Sequence, residues 1–355
     1  MYTYKQDFDR VRITVSHKEP DIVPLGELHI DDEVIKAFLN TDNIDNKRKI
    51  DFFVNAGYDF VTAYASTGLT KQPVVSNEQR VSETDTSYGS SKKRDWVDEN
   101  IGIIKNREDF KKHPWPSIED YNSEQLDEYH RLVPEGMGIV SGVGGIFECT
   151  WQMMGFENFV MTMADDFNLI EMMFERISSL FFDSFKKTVA EKKFISGMWY
   201  SDDIAYTEGL FVSPDIIKKY SIPLMKKMGR LCKDNNLVFF YHSDGDIRQL
   251  IGDFIGAGVD ILQPIEPKAM DITELKKKYG KNISFMGNID LGYTLTRGSV
   301  DEVEEEVKKR IKDIAPGGGY LLGSSNSVTN YVPIENFRAM VKARNKYGRY
   351  PIRIT

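Results

Sequence analysis

Short runs of hydrophobic residues recur along the chain, and most are followed by a segment with the period of an amphipathic helix. Eight runs predict strands: DIVPLGELHI from 21, YDFVTAYAS from 58, MGIVSGVGGI from 137, FISGMWYSDDI from 194, LVFFYHSDG from 237, VDILQPIEP from 259, ISFMGNID from 283 and YLLGSSNSV from 320. Alternation of strand and helix is typical of parallel pairing. Eight such units predict an α/β fold of the closed (β/α)8 type, a TIM barrel.

The later connections carry clear helix signals. SPDIIKKYSIPLMKKMGRLCKDNN opens with Ser-Pro, DIRQLIGDFIGAG opens with Asp and closes on Gly, and SVDEVEEEVKKRIKDIAPGGG runs from a Ser N-cap to a Pro-Gly stop. The segment 68–133 breaks this rhythm because it is polar and strand-like only in patches. We expect one barrel domain over 1–355, with 68–133 inserted as a lid over the barrel mouth. A surface excursion without a role is the alternative.

Composition limits the classes of function. The net charge of -8 and the pI near 5.4 argue against a nucleic-acid surface, which needs a concentrated excess of Lys and Arg. Two cysteines, Cys149 and Cys232, are too few for a disulfide framework or a thiolate-rich metal site. No apolar run approaches the roughly 20 residues of a membrane span, and no signal peptide is evident. We therefore expect a cytoplasmic protein that contacts neither membrane nor nucleic acid.

Polar residues collect where the predicted strands end, which is where the chemistry of such a barrel lies. In strand order they are Glu27 and His29, Tyr64, Glu148, Asp202 and Asp203, His242 and Asp244, Gln263 and Glu266, Asn288 and Asp290, and Ser324 to Ser327. Several carboxylates that face one cavity repel one another unless a cation, protons or a basic substrate compensates them. A divalent metal ion is the simplest compensation.

The sequence HSD suits a metal site. Residues two apart on a strand point to the same side, so His242 and Asp244 can both reach one ion, and Glu266 after the next strand is a natural third ligand. Three protein ligands would leave a tetrahedral zinc ion one open position. The alternative is a His whose tautomer is merely fixed by an Asp.

Further residues near the strand ends have predicted roles in the pocket. We expect Asp202, Asp203 and Glu148 to be catalytic, by orienting substrate or by accepting a hydrogen bond from a ligand His. Substrate-binding residues are predicted to be Glu27, His29, Tyr64, Phe147, Trp199, Tyr200, Asn288 and Asn326. The aromatic members could stack a substrate ring, although such residues also commonly fill a barrel core.

Four segments together resemble the uroporphyrinogen decarboxylase superfamily, which comprises the decarboxylase and corrinoid-linked methyltransferases. They are SDDIAYTEGLFVSPDIIKKYSIPLMKKM, HSDGDIRQLIGDFIGAGVDILQPIEP, FMGNID and GGGYLLGSSNSVTNYVPIENFRAMV. The resemblance covers about residues 137–350, and it implies a (β/α)8 barrel.

The decarboxylase branch fits less well. Decarboxylases carry an RQAGRY-like segment whose arginines grip the acidic tetrapyrrole, and the matching region here reads PLGELHIDDEVIKAF. Glu27, Asp31 and Asp32 in the pocket would repel a substrate with many carboxylates. We therefore expect no decarboxylation of uroporphyrinogen.

The methyltransferase branch is more similar, with substitutions. Its zinc enzymes use a His-x-Cys after the fifth strand, often a Glu after the sixth, and a Cys near the eighth. These positions are His242, Asp244, Glu266, and Asn326 or Ser327 here, so both thiolates are missing. A zinc ion held by imidazole and carboxylates is harder and favours oxygen or nitrogen over a thiol.

The resemblance thus implies a zinc-dependent methyltransferase that moves a methyl group from a small donor to the cobalt of a corrinoid (cobalamin) on a partner protein. An aryl methyl ether heads the list of donors, which would make the protein an O-demethylase component, and methylamines come second. Homodimers are common in the family, so the resemblance leaves a homodimer open as one assembly of this chain. A decarboxylase or lyase with a non-porphyrin substrate and an inactive small-molecule binding protein are the alternatives.

Overall fold

Seven parallel strands form the main sheet in the part of the chain that the structure describes. The computed structural model describes residues 4–69 and 102–354. Neighbouring strands in the sheet follow the chain order: β1 Phe60–Thr62, β2 Gly138–Gly144, β3 Gly197–Ser201, β6 Val238–His242, β7 Ile261–Gln263, β8 Ser284–Ile289 and β9 Tyr320–Ser324. All of these pairings are parallel. An antiparallel hairpin, β4 Ala205–Tyr206 with β5 Gly209–Leu210, follows β3.

The first predicted strand lies beside the last one. The Gly26 amide donates to the Leu322 carbonyl at 2.9 Å, and the Leu322 amide donates to the Pro24 carbonyl at 2.9 Å. On the other side, the Thr62 hydroxyl donates to the Leu28 carbonyl at 3.3 Å. Seven of the eight predicted strands thus form the sheet in the described residues. The remaining one, the first predicted strand, contributes isolated parallel bridges at Leu25 and Ile30. The predicted TIM-barrel class is confirmed.

Helices separate successive strands of the sheet. They are α1 Asp9–Val15, α2 Asp32–Leu39, α3 Asn46–Ala56, α4 Arg107–Lys112, α5 Glu124–Leu132, α6 Ile146–Met154, α7 Phe156–Asp165, α8 Phe167–Glu191, α9 Pro214–Asp234, α10 Ile251–Gly256, α11 Ile272–Tyr279, α12 Thr294–Arg297, α13 Val300–Ile314 and α14 Ile334–Tyr347. None of those in the described residues has the length and apolar character needed to cross a membrane.

The predicted helix starts are mostly confirmed. Ser213 caps α9, with Pro214 in its first turn, and Ser299 caps α13 in a reciprocal arrangement with Glu302. The start predicted at Asp246 is wrong by several residues. Asp246 accepts a hydrogen bond from the Arg248 amide, but a short 3-10 turn intervenes and α10 begins at Ile251.

Alternation along the strands divides the core in two. Trp199 and Phe240 belong to an inner cluster, and the centroids of their two rings lie 4.7 Å apart. Their neighbours along the strands, Tyr200 and Tyr241, belong to the outer cluster beneath the helices. The inner cluster consists of Phe8, Val11, Phe60, Val140, Trp199, Val238, Phe240, Ile261, Met286 and Leu321. Because it fills the lumen with apolar side chains, polar side chains are left to the strand ends.

The predicted insertion is described in part. Residues 70–101 lie outside the described residues, whereas 102–133 include α4 and α5. Helix α5 contacts α3 and β2, which is the place of a barrel helix between β1 and β2. The amides of Ile103 and Ile104 donate to the Met153 carbonyl, at 2.8 and 3.0 Å, and fasten the preceding segment to α6. The lid role stays a prediction.

Candidate functional site

The ends of β3 and β6 bring an imidazole and two carboxylates together. Ser201 lies opposite His242 in the parallel register, so the residues that follow each strand meet at the same edge. The His242 Nε2 atom lies 3.4 Å from an Asp203 oxygen and 3.8 Å from an Asp244 oxygen. One ligand atom from each of the three residues lies within 4.8 Å of the other two. We call these three residues the donor group.

The donor group differs from the predicted ligand set in one member. His242 and Asp244 are in it as expected, but Asp203, predicted as catalytic, takes the third place instead of Glu266. Glu266 lies in the same neighbourhood, where its carboxylate accepts a hydrogen bond from the Gly245 amide at 2.9 Å. Burial raises the pKa of Glu266 above its ordinary value.

A hydrogen-bond chain fixes the orientation of His242. Its Nδ1 atom pairs with the Gln263 side-chain oxygen, while the Gln263 amide nitrogen donates to the Asn326 carbonyl at 2.9 Å. Since the Gln263 oxygen can only accept, this network assigns a hydrogen to Nδ1. The other ring nitrogen, Nε2, therefore faces the two carboxylates. A bare lone pair there would be repelled by them, so a proton or a metal cation between these atoms is required.

The charges around His242 agree with that requirement. Burial by itself lowers the pKa of an imidazole, but Asp203 and Asp244 outweigh it and raise the pKa of His242 to about 10. Burial has the opposite effect on a carboxylic acid and would raise the pKa of Asp203. The positive charge of His242 outweighs burial and holds the pKa of Asp203 below its ordinary value. Burial and the charge of Asp203 raise the pKa of Asp244 well above its ordinary value.

Asp244 has one satisfied oxygen and one orphaned oxygen. The Asn326 amide donates to Oδ2 at 2.6 Å, whereas Oδ1 is buried without a hydrogen-bond partner in the described part of the chain. The Asp244 amide in turn donates to an Asp203 oxygen at 2.8 Å. A cation site typically contains a buried carboxylate oxygen that has no other partner and an imidazole held in a fixed orientation beside it. The donor group therefore fits a divalent metal ion with nitrogen and oxygen ligands.

Asp202 faces a different way from its neighbour. It is fully buried, and its carboxylate accepts hydrogen bonds from the Glu148 amide at 2.8 Å, the Phe147 amide at 3.4 Å and the Tyr200 hydroxyl at 2.9 Å. These amides belong to the first turn of α6, so Asp202 holds this helix against the barrel mouth. Burial raises the pKa of Asp202 to about 6. The contacts favour a positioning role over contact with substrate.

Glu148 is set at the mouth by this arrangement. Its carboxylate accepts a hydrogen bond from Gln152 at 2.8 Å, and burial together with the charge of Asp203 raises its pKa to about 8. The charge of Asp203 acts on Glu148 across the mouth, and the catalytic role predicted for Glu148 stays a prediction.

The acidic residues predicted after the first strand each contact a partner outside the donor group. Glu27 is buried, and its carboxylate accepts hydrogen bonds from the Ser324 amide and hydroxyl, both at 2.7 Å. Asp31 lies just before α2 and contacts His29 at 3.3 Å, while Asp32 pairs with Lys49 at 2.8 Å. Their partners are thus Ser324, His29 and Lys49, and the expectation that these carboxylates repel a substrate with many carboxylates stays a prediction.

The predicted aromatic wall is split. Phe147 packs edge-on against Phe159, and Tyr200 stacks on Tyr241, so both belong to the packed core. Trp199, Tyr64 and His29 instead line one cavity of about 450 Å³. Asn288 is buried at the end of β8, where its amide nitrogen donates to the Ile265 carbonyl at 2.9 Å.

Two cavities open at the mouth. The first, which we call the apolar cavity, is the one lined by Trp199, Tyr64 and His29. The second, the acidic cavity, has a volume of about 300 Å³ and is lined by Asp244, Glu266 and Asp290 together with Lys268, Asn326 and Tyr331. A further cavity of about 920 Å³ is lined by residues at the N-terminal ends of β6 and β7, at the opposite end of the barrel. It does not contact the donor group.

Sequence reasoning missed two roles. Gln263 was recognised as a polar residue at a strand end, but its hydrogen bond to His242 depends on the pairing of β6 with β7. The sequence predicts Asn326 as a substrate-binding residue and as a position where a thiolate ligand is replaced, whereas in the structure its side-chain amide donates to Asp244 and its carbonyl accepts from Gln263. The available signal was the position of both residues directly after hydrophobic strands.

Comparison with known proteins supports this picture. The family model of uroporphyrinogen decarboxylase (URO-D) matches residues 104–347. The methylcobamide:CoM methyltransferase MtaA of Methanosarcina barkeri is 28% identical over 136 residues, which is 38% of either chain. A uroporphyrinogen decarboxylase of Methylobacillus flagellatus is 30% identical over 74 residues, 21% of this chain and 20% of the relative. This chain thus spans well under half the length of these curated relatives.

Among solved structures, a methyltransferase from Methanosarcina mazei matches 97% of this chain and 99% of its own, with a TM-score of 0.64 and 16% identity. At this identity the match concerns the fold. Because the family model covers more than half of the sequence, the chain belongs to the uroporphyrinogen decarboxylase (URO-D) family.

Proposed function

We propose that the protein is a zinc-dependent methyltransferase that moves a methyl group from a small methylated donor to the cobalt of a corrinoid carried on a partner protein. An aryl methyl ether is the preferred donor. The observation that carries the proposal is the donor group at the barrel mouth, with its oriented His242 and its orphaned Asp244 oxygen. The similarity to a methylcobamide:CoM methyltransferase supports the reaction class.

The chemistry of the donor group argues for oxygen as the atom that leaves. It contains one imidazole and two carboxylates, while Cys149 lies on α6 and Cys232 is buried on α9, both outside it. Ligands of this kind leave a metal ion hard, and a hard ion prefers oxygen or nitrogen. A divalent ion bound to Asp203, His242 and Asp244 would supply Lewis acidity towards an ether oxygen.

Neighbouring residues of the chain hold the members of the donor group in fixed orientations. Gln263 and Asn326 hold the imidazole and one carboxylate in fixed directions, and Asp202 anchors the helix that carries Glu148. The packed lumen beneath the mouth excludes water from below. The corrinoid partner is expected to approach over the mouth, since its cobalt must come within bonding distance of the methyl group.

A spectroscopic assay tests the proposal. Enzyme and a reduced corrinoid protein are mixed with candidate donors, and conversion of cob(I)alamin to methylcobalamin is followed. We expect methylcobalamin from a methoxyarene, and strongly reduced rates for Asp203→Asn and His242→Ala. Asp301→Asn, on the exposed first turn of α13, is the control and should react at the wild-type rate.

Two results would contradict the proposal. The first is methylcobalamin only from methyltetrahydrofolate or from methylated thiols. The second is decarboxylation of a porphyrinogen in the absence of any methyl transfer, which would favour the decarboxylase alternative.

A further inference from the structure

The apolar cavity has the character of a binding site for an uncharged ring. Its lining includes Leu28, Val143, Phe181 and Trp199, and among the described residues that line it there is no Asp, Glu, Lys or Arg. Its volume of about 450 Å³ compares with roughly 150 Å³ for an engineered cavity that admits benzene. A substituted ring therefore has sufficient space.

One residue of the cavity wall pairs with the strand that carries His242. Ser201 lines the cavity, and Ser201 is the register partner of His242 on the neighbouring strand. The acidic cavity has Asp244 and Glu266 in its wall. The acidic cavity is thus lined by one member of the donor group, and the apolar cavity is lined by the register partner of another member. An apolar group is placed at lower free-energy cost in the apolar cavity.

Two glycines of β2 contribute to the cavity for different reasons. A Cβ atom at Gly142 would lie 2.5 Å from the Trp199 Cβ atom, so glycine is needed there for Trp199 to pack. A Cβ atom at Gly144 would meet only Phe181, at an ordinary distance of 3.4 Å. The absence of a side chain at Gly144 is therefore not imposed by packing, and it leaves cavity volume open.

Trp199 adds a polar group to this wall. Its side chain is fully buried, and its indole N–H has no hydrogen-bond partner in the described part of the chain. A buried N–H without an acceptor is unfavourable, so an acceptor on a bound molecule is favoured. A ring with an oxygen substituent supplies both the apolar face and the acceptor.

We propose that the apolar cavity binds the ring of an uncharged methoxyarene and presents its methoxy group to the donor group. The proposal rests on the proposed function for the identity of the reaction, but the binding itself does not depend on it. It separates the two donor classes that the sequence left open, because a methylammonium ion is better matched to the acidic cavity than to the apolar one.

Calorimetric titration of the full-length protein with 2-methoxyphenol tests the binding. We expect saturable binding by the wild type and little or no binding of tetramethylammonium at the same site. Gly144→Val adds an isopropyl group to the cavity and should weaken the binding of 2-methoxyphenol by roughly tenfold or more, with Gly144→Ala intermediate. Gly252→Val on α10, where a Cβ atom has nothing within 4 Å, is the matched control and should bind as the wild type does.

The outcomes distinguish this proposal from the function. Should Gly144→Val bind 2-methoxyphenol as tightly as the wild type, or should tetramethylammonium compete for the site, the ring assignment is wrong. If Gly144→Val does not fold, Gly144→Ala decides the same question by a smaller effect. Ring binding without methyl transfer would refute the proposed reaction and leave the ring site in place. Methyl transfer only from donors without a ring would refute the ring site and leave the methyl-transfer reaction in place.

Discussion

The Nδ1 atom of His242 pairs with the side-chain oxygen of Gln263, which lies on the neighbouring strand. Both side chains are buried, and Gln263 is itself held by its hydrogen bond to the Asn326 carbonyl. Gln263 therefore selects which ring nitrogen of His242 is turned towards Asp203 and Asp244. It acts through the imidazole and is a positioning residue.

Removing this positioning contact should weaken metal binding. Gln263→Leu leaves the His242 Nδ1–H without an acceptor, so we expect zinc affinity to fall roughly 10- to 100-fold. Competition with a chromophoric chelator measures the affinity. Gln263→Glu retains an oxygen acceptor and should lose less than Gln263→Leu. Equal zinc affinity of the wild type and Gln263→Leu would contradict the positioning role.

The third ligand can be identified by substitution. Asp203→Asn and His242→Ala each remove a member of the donor group, and bound zinc after purification without chelators should fall by roughly tenfold or more. Glu266→Gln changes a carboxylate outside the donor group and should retain most of the metal. Metal loss in Glu266→Gln with normal content in Asp203→Asn would restore the ligand set predicted from sequence.

Asp202→Ala should affect stability rather than metal content. It removes the acceptor of two buried α6 amides and of the Tyr200 hydroxyl, so we expect the free energy of unfolding to fall by about 1–3 kcal/mol. Urea denaturation measures the change. The control is Asp271→Ala, which removes an exposed helix cap at α11 and should cost about 0.5–2 kcal/mol. Unchanged stability together with lost zinc would assign Asp202 to the metal site instead.

Glu27 should make the folded state sensitive to pH. Burial raises its pKa from 4.5 to about 8, so between these values the folded state holds a proton that the unfolded chain has released. The stability contributed by Glu27 is present below about pH 4.5 and is lost as the pH rises towards 8, at up to about 1.4 kcal/mol per pH unit.

Glu27→Gln removes this titration while a side-chain oxygen can still accept from the Ser324 amide. Relative to the wild type, the variant should therefore gain stability as the pH is raised from 5 to 8, as measured by urea unfolding. Glu33→Gln on the exposed side of α2 is the matched control and should show a constant difference from the wild type. A constant difference for Glu27→Gln as well would show that Glu27 is ionised in the folded protein.

The sequence by itself determined the order of strands and helices and two of the three residues of the donor group. Short hydrophobic runs separated by helical segments predict the barrel, because strands buried on both faces read as continuous apolar runs and alternate with the helices that cover them. The spacing of His242 and Asp244 places both on one side of the chain for the same local reason.

Tertiary structure decided the rest. Asp202 and Asp203 are adjacent in sequence and indistinguishable by composition, yet one caps α6 and the other joins the donor group. That choice follows from the register that sets Ser201 opposite His242, which no local pattern encodes. The sequence places Glu27 near a strand end, and only the pairing of the first segment with β9 decides that its carboxylate accepts hydrogen bonds from Ser324. Contacts between distant strands depend on how the barrel closes, and this is a property of the whole chain rather than of any segment.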